Sequence, residues 1–285
     1  MENSIDQPIK TNFLVDDILA KKELSNLNKE FVNEKVGFFL DKHKKIKEKL
    51  EQSKYSEFRR SKEYKEIIKG VRAELREVYG VFIMKDYKKR DTLLEDLKKD
   101  SSIENHNMIL ALHKSSKERL PYYSLVYKKI FEITGIPERI VDFACGLNPF
   151  SYPYLGCKPA YLACDLAEKD LEFINAYFRA MKIKGNSKRV DLIKDDLNDI
   201  VKKEDLVLLL KTLDSLEAVK RDISGQILRA LKAKFIVVSF STKSLGGKKI
   251  IRKERRTWFE KLIKKLNYRF EAFEIPDETF YVITK

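Results

Sequence analysis

One segment in the middle of the chain constrains its fold more than any other. The apolar run around Val141 ends in a turn that contains Gly146, and Asp165 stands at the end of the next apolar run. A strand, a glycine turn that lets the backbone approach a ligand, and an acidic residue about 20 positions later suit a cofactor that contains a nucleoside. Asp165 is spaced to accept hydrogen bonds from ribose hydroxyls. Because the G-x-G-x-x-G dinucleotide fingerprint is absent, the pattern favours S-adenosylmethionine (SAM), which has no pyrophosphate, over NAD.

Apolar runs and amphipathic stretches alternate from Arg139 to the C-terminus. This alternation predicts five strands, at residues 139–144, 160–164, 189–193, 205–210 and 234–240, and three helices, at residues 168–181, 215–231 and 254–266. Two last strands, 268–275 and 279–284, are joined by a short turn and must be antiparallel. The predicted fold class is therefore α/β: a Rossmann-like sheet of parallel strands that ends in an antiparallel hairpin, as in class I SAM-dependent methyltransferases.

The first part of the chain has a different pattern. Apolar residues recur at mostly three- and four-residue spacing from Tyr64 to Tyr79, Gly80 stands where a helix would end, and no strand alternation precedes Arg139. We therefore predict a helical domain over residues 1–112 and a SAM-dependent methyltransferase domain over residues 113–285.

The net charge of +14 is concentrated in two segments. Residues 42–90 and residues 243–269 each have a net charge of +9, so the rest of the chain is slightly acidic. Such segments would form a footprint for a polyanion. In residues 42–90 glutamates are interleaved, and a solvated Lys/Glu surface is an equal alternative. In residues 243–269 acidic residues are scarce, which favours nucleic acid. A membrane surface is disfavoured because apolar anchors do not cluster with these charges.

No apolar run approaches the roughly 20 residues that span a bilayer, and the N-terminus lacks a signal-peptide pattern. We therefore expect a cytoplasmic protein without a membrane partner. We also expect it to act as a monomer. Cys145, Cys157 and Cys164 form no C-x-x-C pair, and the three histidines show no metal spacing, so neither a disulfide nor a metal site is predicted.

Several segments from His113 onward resemble the aminoglycoside-resistance 16S rRNA (guanine-N7) methyltransferases. They are, in chain order, HKSSKERLP from His113, DFACGLNP from Asp142, LLKTL from Leu209 with Leu216-Glu217, VSFSTKSLGG from Val238, and Trp258-Phe259. The resemblance implies that the chain transfers a methyl group from SAM to N7 of a guanine in the decoding-site helix of the small ribosomal subunit. It also implies that the partner is the small subunit or its rRNA. The helical domain resembles the family's only in type, and we expect it to dock on RNA.

The glycine turn and the resemblance together give the candidate cofactor-binding residues: Arg119, Asp142, Ala144, Gly146, Asp165, Asp195 and Asp196. Arg119 matches the family's contact to the SAM carboxylate, which a guanidinium can grip through two parallel hydrogen bonds. Asp165 matches the ribose ligand. Asp195 matches the acid on the adenine side, and the adjacent Asp196 is an alternative to it.

Two of these assignments have a structural alternative. Asp142 is expected to organise the turn around Gly146 by accepting hydrogen bonds from backbone N–H groups, rather than to touch the sulfonium. Arg119 could instead form an ion pair on a helix surface with a neighbour such as Glu118 or Glu132.

On the target side, Lys211 and Lys243 are the candidate catalytic residues, placing the target nucleotide or its phosphates. Either could instead be a solvated lysine at a strand end. Lys117, Lys243 and Lys248 stand where family members commonly carry arginine, so charge is kept but the planar guanidinium is absent. Guanine N7 already exposes a lone pair, so the site need only place it in line with the methyl group.

The motifs leave two other functions open. One is a methyltransferase of the same fold that acts on tRNA or at another rRNA position. The other is a ribosome-associated protein that binds SAM without catalysis.

Overall fold

The computed structural model describes residues 6–203, 205–243 and 256–285. The chain forms two compact units, residues 1–81 with 166–169, and residues 82–165 with 170–285. The division thus falls between Val81 and Phe82, earlier than the predicted boundary at residues 112 and 113. The reason is that residues 90–110 form helices whose buried leucines, among them Leu94 and Leu97, belong to the hydrophobic core of the second unit.

The first unit is helical, as predicted. Its helices are α1 (Asp6–Leu19), α2 (Lys29–Lys42), α3 (Lys44–Gln52), α4 (Tyr55–Phe58) and α5 (Lys62–Val78). The side chain of Asn28 caps α2 by accepting from the N–H groups of Glu30 and Phe31, and Ser61 caps α5 in the same way. The apolar faces of α1, α2 and α5 form one buried core, which includes Val32 and Val71.

The second unit combines helices with one sheet. Its helices are α6 (Arg90–Lys99), α7 (Ile103–Leu110), α8 (Lys114–Arg119), α9 (Tyr123–Thr134), α10 (Glu168–Ala180), α11 (Leu213–Val219), α12 (Ile223–Ala230) and α13 (Thr257–Lys265). Its strands are β1 (Arg139–Phe143), β2 (Ala160–Asp165), β3 (Gly185–Arg189), β4 (Leu206–Leu210), β5 (Phe235–Ser241), β6 (Arg269–Ile275) and β7 (Glu278–Thr284).

The sheet has the strand order β3-β2-β1-β4-β5-β7-β6. Strands β1 to β5 are parallel, and β7 runs antiparallel between β5 and β6, which confirms the predicted terminal hairpin. Alternate residues of β1 and β5 enter two different cores, one on each face, as shown by Ile140 and Val141. The direction of strand order reverses between β1 and β4, and in such sheets ligands bind in the crevice at that point.

Two predicted elements differ from the structure. The third strand is Gly185–Arg189 rather than residues 189–193, because it lies at the sheet edge and has mostly polar, partly exposed residues. The apolar run that follows it packs Val190 and Leu192 into the core without being a strand. The helix predicted at 215–231 is two helices, since Asp222 has a left-handed backbone (φ 62°) between α11 and α12.

The last predicted helix begins at Thr257, and residues 254–255 of that prediction lie outside the described chain. No described helix combines the length and the apolar character that crossing a membrane requires.

Candidate active site

The predicted site residues of the second unit meet at the carboxyl ends of the parallel strands. Asp142 is near the end of β1, Asp165 ends β2, and Lys211 follows β4. Since β7 is antiparallel to β5, its first residue Glu278 pairs with Ser241 at the end of β5 and lies at the same edge. This edge contains the crevice expected from the strand order.

The turn after β1 depends on Gly146. Its backbone is left-handed (φ 50°), and a side chain there would place its Cβ 2.8 Å from Nε2 of His113. Burial lowers the pKa of His113 to about 3, so the imidazole packed against the turn is neutral. Ala144 is also left-handed (φ 50°), a conformation that is strained for a residue with a Cβ. The turn is therefore a fixed and costly backbone shape.

Asp165, rather than Asp142, holds this turn. Its Oδ2 accepts a hydrogen bond of 2.9 Å from the backbone N–H of Gly146. Asp142 instead accepts from side chains, Asn148 Nδ2 at 2.9 Å and Tyr161 Oη at 2.7 Å, both on its Oδ2. The expectation that Asp142 binds backbone N–H groups is therefore wrong, because its side chain points into a buried polar cluster beneath the turn.

Asp142 keeps one unused acceptor. Its Oδ1 is buried and has no hydrogen-bond partner within the described ranges. Burial raises the pKa of Asp142 to about 6, although the hydrogen bonds from Asn148 and Tyr161 oppose this shift. A buried carboxylate with an unpaired oxygen costs free energy unless a donor or a cation meets it. The amino group of a bound SAM would supply both, so the residues present fit this cofactor.

The unpaired oxygen predicts a pH dependence of cofactor binding. Because the pKa of Asp142 is raised to about 6, the carboxylate is charged at pH 7 and protonates as the pH falls towards 5. The affinity for S-adenosylhomocysteine should then fall, approaching about tenfold per pH unit well below pH 6. Calorimetric titrations from pH 5 to 8 measure this. The Asp142→Asn variant should bind S-adenosylhomocysteine more weakly at pH 7, and its affinity should not change across this pH range. An affinity that falls as steeply in the variant as in the wild type would refute the assignment.

Arg119 is buried rather than on a helix surface, so the predicted alternative of a surface pair with Glu118 or Glu132 is wrong. Its Nη2 and Nε donate to the two carboxylate oxygens of Glu278 at 2.7 and 3.2 Å. Its Nη1 donates to Asn148 Oδ1 at 3.1 Å and more weakly to Tyr123 Oη at 3.5 Å. Burial by itself would lower the pKa of Arg119, but the charge of Glu278 more than offsets this effect.

These bonds bear directly on the role predicted for Arg119. The bidentate hydrogen bonding that was expected with a SAM carboxylate is made with the carboxylate of Glu278 instead. Among the described residues, four of the five N–H groups of the guanidinium have acceptors, which leaves one hydrogen on Nη2. Contact of Arg119 with a ligand carboxylate stays a prediction, with one donor available while Glu278 is in place.

Lys211 is also buried, and the alternative of a solvated lysine is wrong for it. Its Nζ lies 2.8 Å from Glu118 Oε2 and 3.4 Å from Glu278 Oε2, and only 7% of its side chain is exposed. Its left-handed backbone (φ 55°) is held by hydrogen bonds from its N–H to the carbonyl and hydroxyl of Ser239. Lys243 differs, because it is half-exposed and pairs with Asp277 at 2.7 Å.

The structure does not bring Asp195 and Asp196 into this group of residues. Asp195 is exposed and accepts from the N–H of Asp191 at 2.8 Å, and Asp196 is exposed and accepts from Asn198 at 2.9 Å. Both therefore shape the loop after β3 by local hydrogen bonds. A role for either beside an adenine stays a prediction.

Sequence reasoning missed Glu278 and Asn148. Asn148 belongs to the DFACGLNP segment and joins Arg119 to Asp142 by two hydrogen bonds. The signal for Glu278 is faint: it is a lone carboxylate at the start of an otherwise apolar strand. Nothing in the sequence pairs it with Arg119, from which it is 159 residues distant.

Comparison with known proteins identifies the family. The family model described as "Ribosomal RNA methyltransferase (FmrO)" matches residues 59–283. The chain belongs to this family. The predicted resemblance, the class I methyltransferase fold and the assignment as an RNA methyltransferase are thus confirmed.

Two 16S rRNA methyltransferases are similar to this chain over most of their length. A 16S rRNA (guanine(1405)-N(7))-methyltransferase of Micromonospora echinospora is 30% identical over 230 residues, covering 76% of this chain and 82% of that one. The enzyme of the same description from Proteus mirabilis is 28% identical over 242 residues, and the match covers 78% of this chain and 85% of that one. The solved 16S rRNA methyltransferase RmtF, in complex with S-adenosyl-L-homocysteine, has a TM-score of 0.77 at 24% identity, covers 97% and 98% of the two chains, and has the same fold.

Proposed function

We propose that this chain is a SAM-dependent methyltransferase that modifies N7 of a guanine in 16S rRNA. The observation that carries the cofactor part of the proposal is the buried Asp142, whose Oδ1 has no partner among the described residues, beside a glycine turn held by Asp165. Asp142 and Arg119 would hold the amino acid part of SAM, and Asp165 the ribose. The family membership and the named relatives support the choice of 16S rRNA and of N7.

The residues of the site suit a reaction that needs placement rather than acid–base catalysis. SAM, held by Asp142, Arg119 and Asp165, would supply an electrophilic methyl group to guanine N7 and would leave as S-adenosylhomocysteine. Lys211 has three N–H donors; in the part of the chain that the structure describes, Glu118 and Glu278 engage two of them, and the third would bind the target nucleotide. A rigid, buried cation at the end of β4 orients its ligand with little loss of entropy.

The helical unit carries a basic groove that supports its role in RNA docking. This groove, about 300 Å³ in volume, is lined by Lys21, Tyr64, Lys65, Ile68, Lys69, Arg72 and Arg76. Glu23 neutralises Arg76 at 2.7 Å, and Arg72 donates to the backbone carbonyl of Asp17. The exposed lysines are therefore the main candidates for phosphate contacts.

Ion pairs occupy part of the first basic segment of the sequence. In residues 42–90, Lys47 and Lys49 pair with Asp41 and Glu63, as a solvated Lys/Glu surface would. In residues 243–269, six of the 13 charged residues, including Lys248, lie outside the described chain. We propose that both segments contribute to RNA binding. We also propose that the enzyme is cytoplasmic, because its substrate is the ribosome. Action as a monomer stays a prediction.

Methyl transfer from tritiated SAM tests the proposal. Purified small subunits, free 16S rRNA and tRNA are incubated in parallel with the protein. The expected product is 7-methylguanine in 16S rRNA, and because N7 methylation labilises the base, borohydride and aniline should cut the RNA at one site. Label on tRNA, or on another atom, would support the alternative target. Cofactor binding without any label would support the non-catalytic alternative.

A further inference from the structure

Glu278 joins the cofactor side of the site to the target side. We propose that it is a positioning residue shared by Arg119 and Lys211, holding both cations in the places where they meet their ligands. The proposal deepens the proposed function and rests on it. Glu278 itself touches neither substrate; it acts through the two side chains that it binds.

Both carboxylate oxygens of Glu278 have two partners each. Oε1 accepts from Arg119 Nη2 at 2.7 Å and from Ser239 Oγ at 2.5 Å. Oε2 accepts from Arg119 Nε at 3.2 Å and faces Lys211 Nζ at 3.4 Å. The carboxylate is about 1% exposed, so all of these contacts are shielded from water. Burial by itself would raise the pKa of Glu278, but Arg119 and Lys211 together lower it, and the group stays charged.

The charges explain why a single carboxylate is needed at this point. Arg119 and Lys211 are two buried cations that share Glu278, and like charges this close repel strongly where water is excluded. Glu118, whose Oε2 lies 2.8 Å from Lys211 Nζ, offsets the charge of Lys211 but not that of Arg119. If Glu278 were neutral, the cations would separate, and the more mobile of them, the lysine side chain, would move towards Glu118 and solvent.

The position of Glu278 also argues against a purely structural pair. It begins β7, opposite the last residue of β5, and so lies at the ligand-binding edge of the sheet. The same unit contains another buried pair, Arg90 with Asp170, which joins the start of α6 to α10. Asp170 pairs with Arg90, which has no predicted role in the reaction, and it is therefore a matched control.

A double-mutant cycle on methyl transfer tests the proposal. Glu278→Gln keeps the shape of the side chain and removes its charge. We expect it to lower kcat/KM for small subunits on the order of 100-fold, the scale for a displaced positioning group. Because Glu278 also holds Arg119, SAM is kept saturating, so that only the action of Glu278 through Lys211 is measured. Glu278→Gln with Lys211→Gln should then be no slower than Lys211→Gln alone. Asp170→Asn should leave kcat/KM of the folded protein unchanged. Additive effects of the two substitutions would overturn the proposal.

Two further measurements keep the test decisive. If Glu278→Gln does not fold, Ser239→Ala removes one hydrogen bond to the same carboxylate and one from the N–H of Lys211. It should lower kcat/KM in the same direction, and unchanged kinetics would count against the proposal. If the wild-type protein does not methylate 16S rRNA, the proposed function fails separately. Calorimetry with S-adenosylhomocysteine then decides, because Glu278→Gln and Arg119→Lys should be non-additive in affinity if Glu278 holds Arg119, and additive if it does not.

Discussion

Replacing Arg119 with methionine should lower the free energy of unfolding by about 3 kcal/mol. This is the lower end of the range for breaking a buried ion pair, in which most of the cost comes from the charge left without a partner. Here the carboxylate of Glu278 would lose two hydrogen bonds, while Lys211 at 3.4 Å would still offset part of its charge. Urea denaturation of the wild type and the variant, with equal slopes, measures the difference.

The double variant Arg119→Met with Glu278→Met separates the two causes of instability. If the reduced stability reflects an uncompensated carboxylate, removing that carboxylate should recover a large part of it, because well-packed apolar side chains often replace a buried pair without a penalty. Arg119→Lys is the second control, since it keeps the charge but not the fork. A double variant that is less stable than Arg119→Met would mean that packing, and not charge, makes the pair important.

The sequence predicted the sheet well because most of its strands are buried on both faces. β1, β2, β4 and β5 read as short apolar runs, and the hairpin at the end of the chain read as two such runs around a turn. β3 was misplaced because an edge strand has no need of apolar residues on both faces. The break between α11 and α12 was missed since the apolar spacing continues through it, and only the left-handed Asp222 marks it.

The meeting of candidate site residues at one edge of the sheet was predictable only where it depends on local sequence. Asp142, Gly146 and Asp165 follow from strand ends, which parallel strands bring to one edge. What the sequence did not show is how these groups are paired. The partner of Arg119 is far along the chain and enters from an antiparallel strand, and the acceptor of the Gly146 N–H proved to be Asp165. Such pairings depend on side-chain direction in three dimensions, which spacing does not specify.

The role of the helical unit can be decided by salt dependence. Replacing Lys21, Lys65 and Lys69 of the groove together with glutamine should weaken binding to small subunits, because each lysine bound to a phosphate releases counterions. A log–log plot of affinity against salt should become flatter by about 0.9 for each phosphate interaction removed, or about 0.7 for single strands. Filter-binding titrations across a salt series measure both quantities. The affinity for S-adenosylhomocysteine should not change, since Asp142 and Arg119 belong to the other unit.

A second triple variant tests the other basic segment on the same plot. Lys248, Lys249 and Arg252 lie outside the described chain, so only their charge, within a segment of net +9, supports their binding to phosphate. Their replacement with glutamine removes the same charge as in the groove variant, and the two therefore control for each other. If both flatten the slope, RNA binds both segments at once. If only one does, the other is a solvated surface, and an unchanged slope in the groove variant would refute RNA docking by the helical unit.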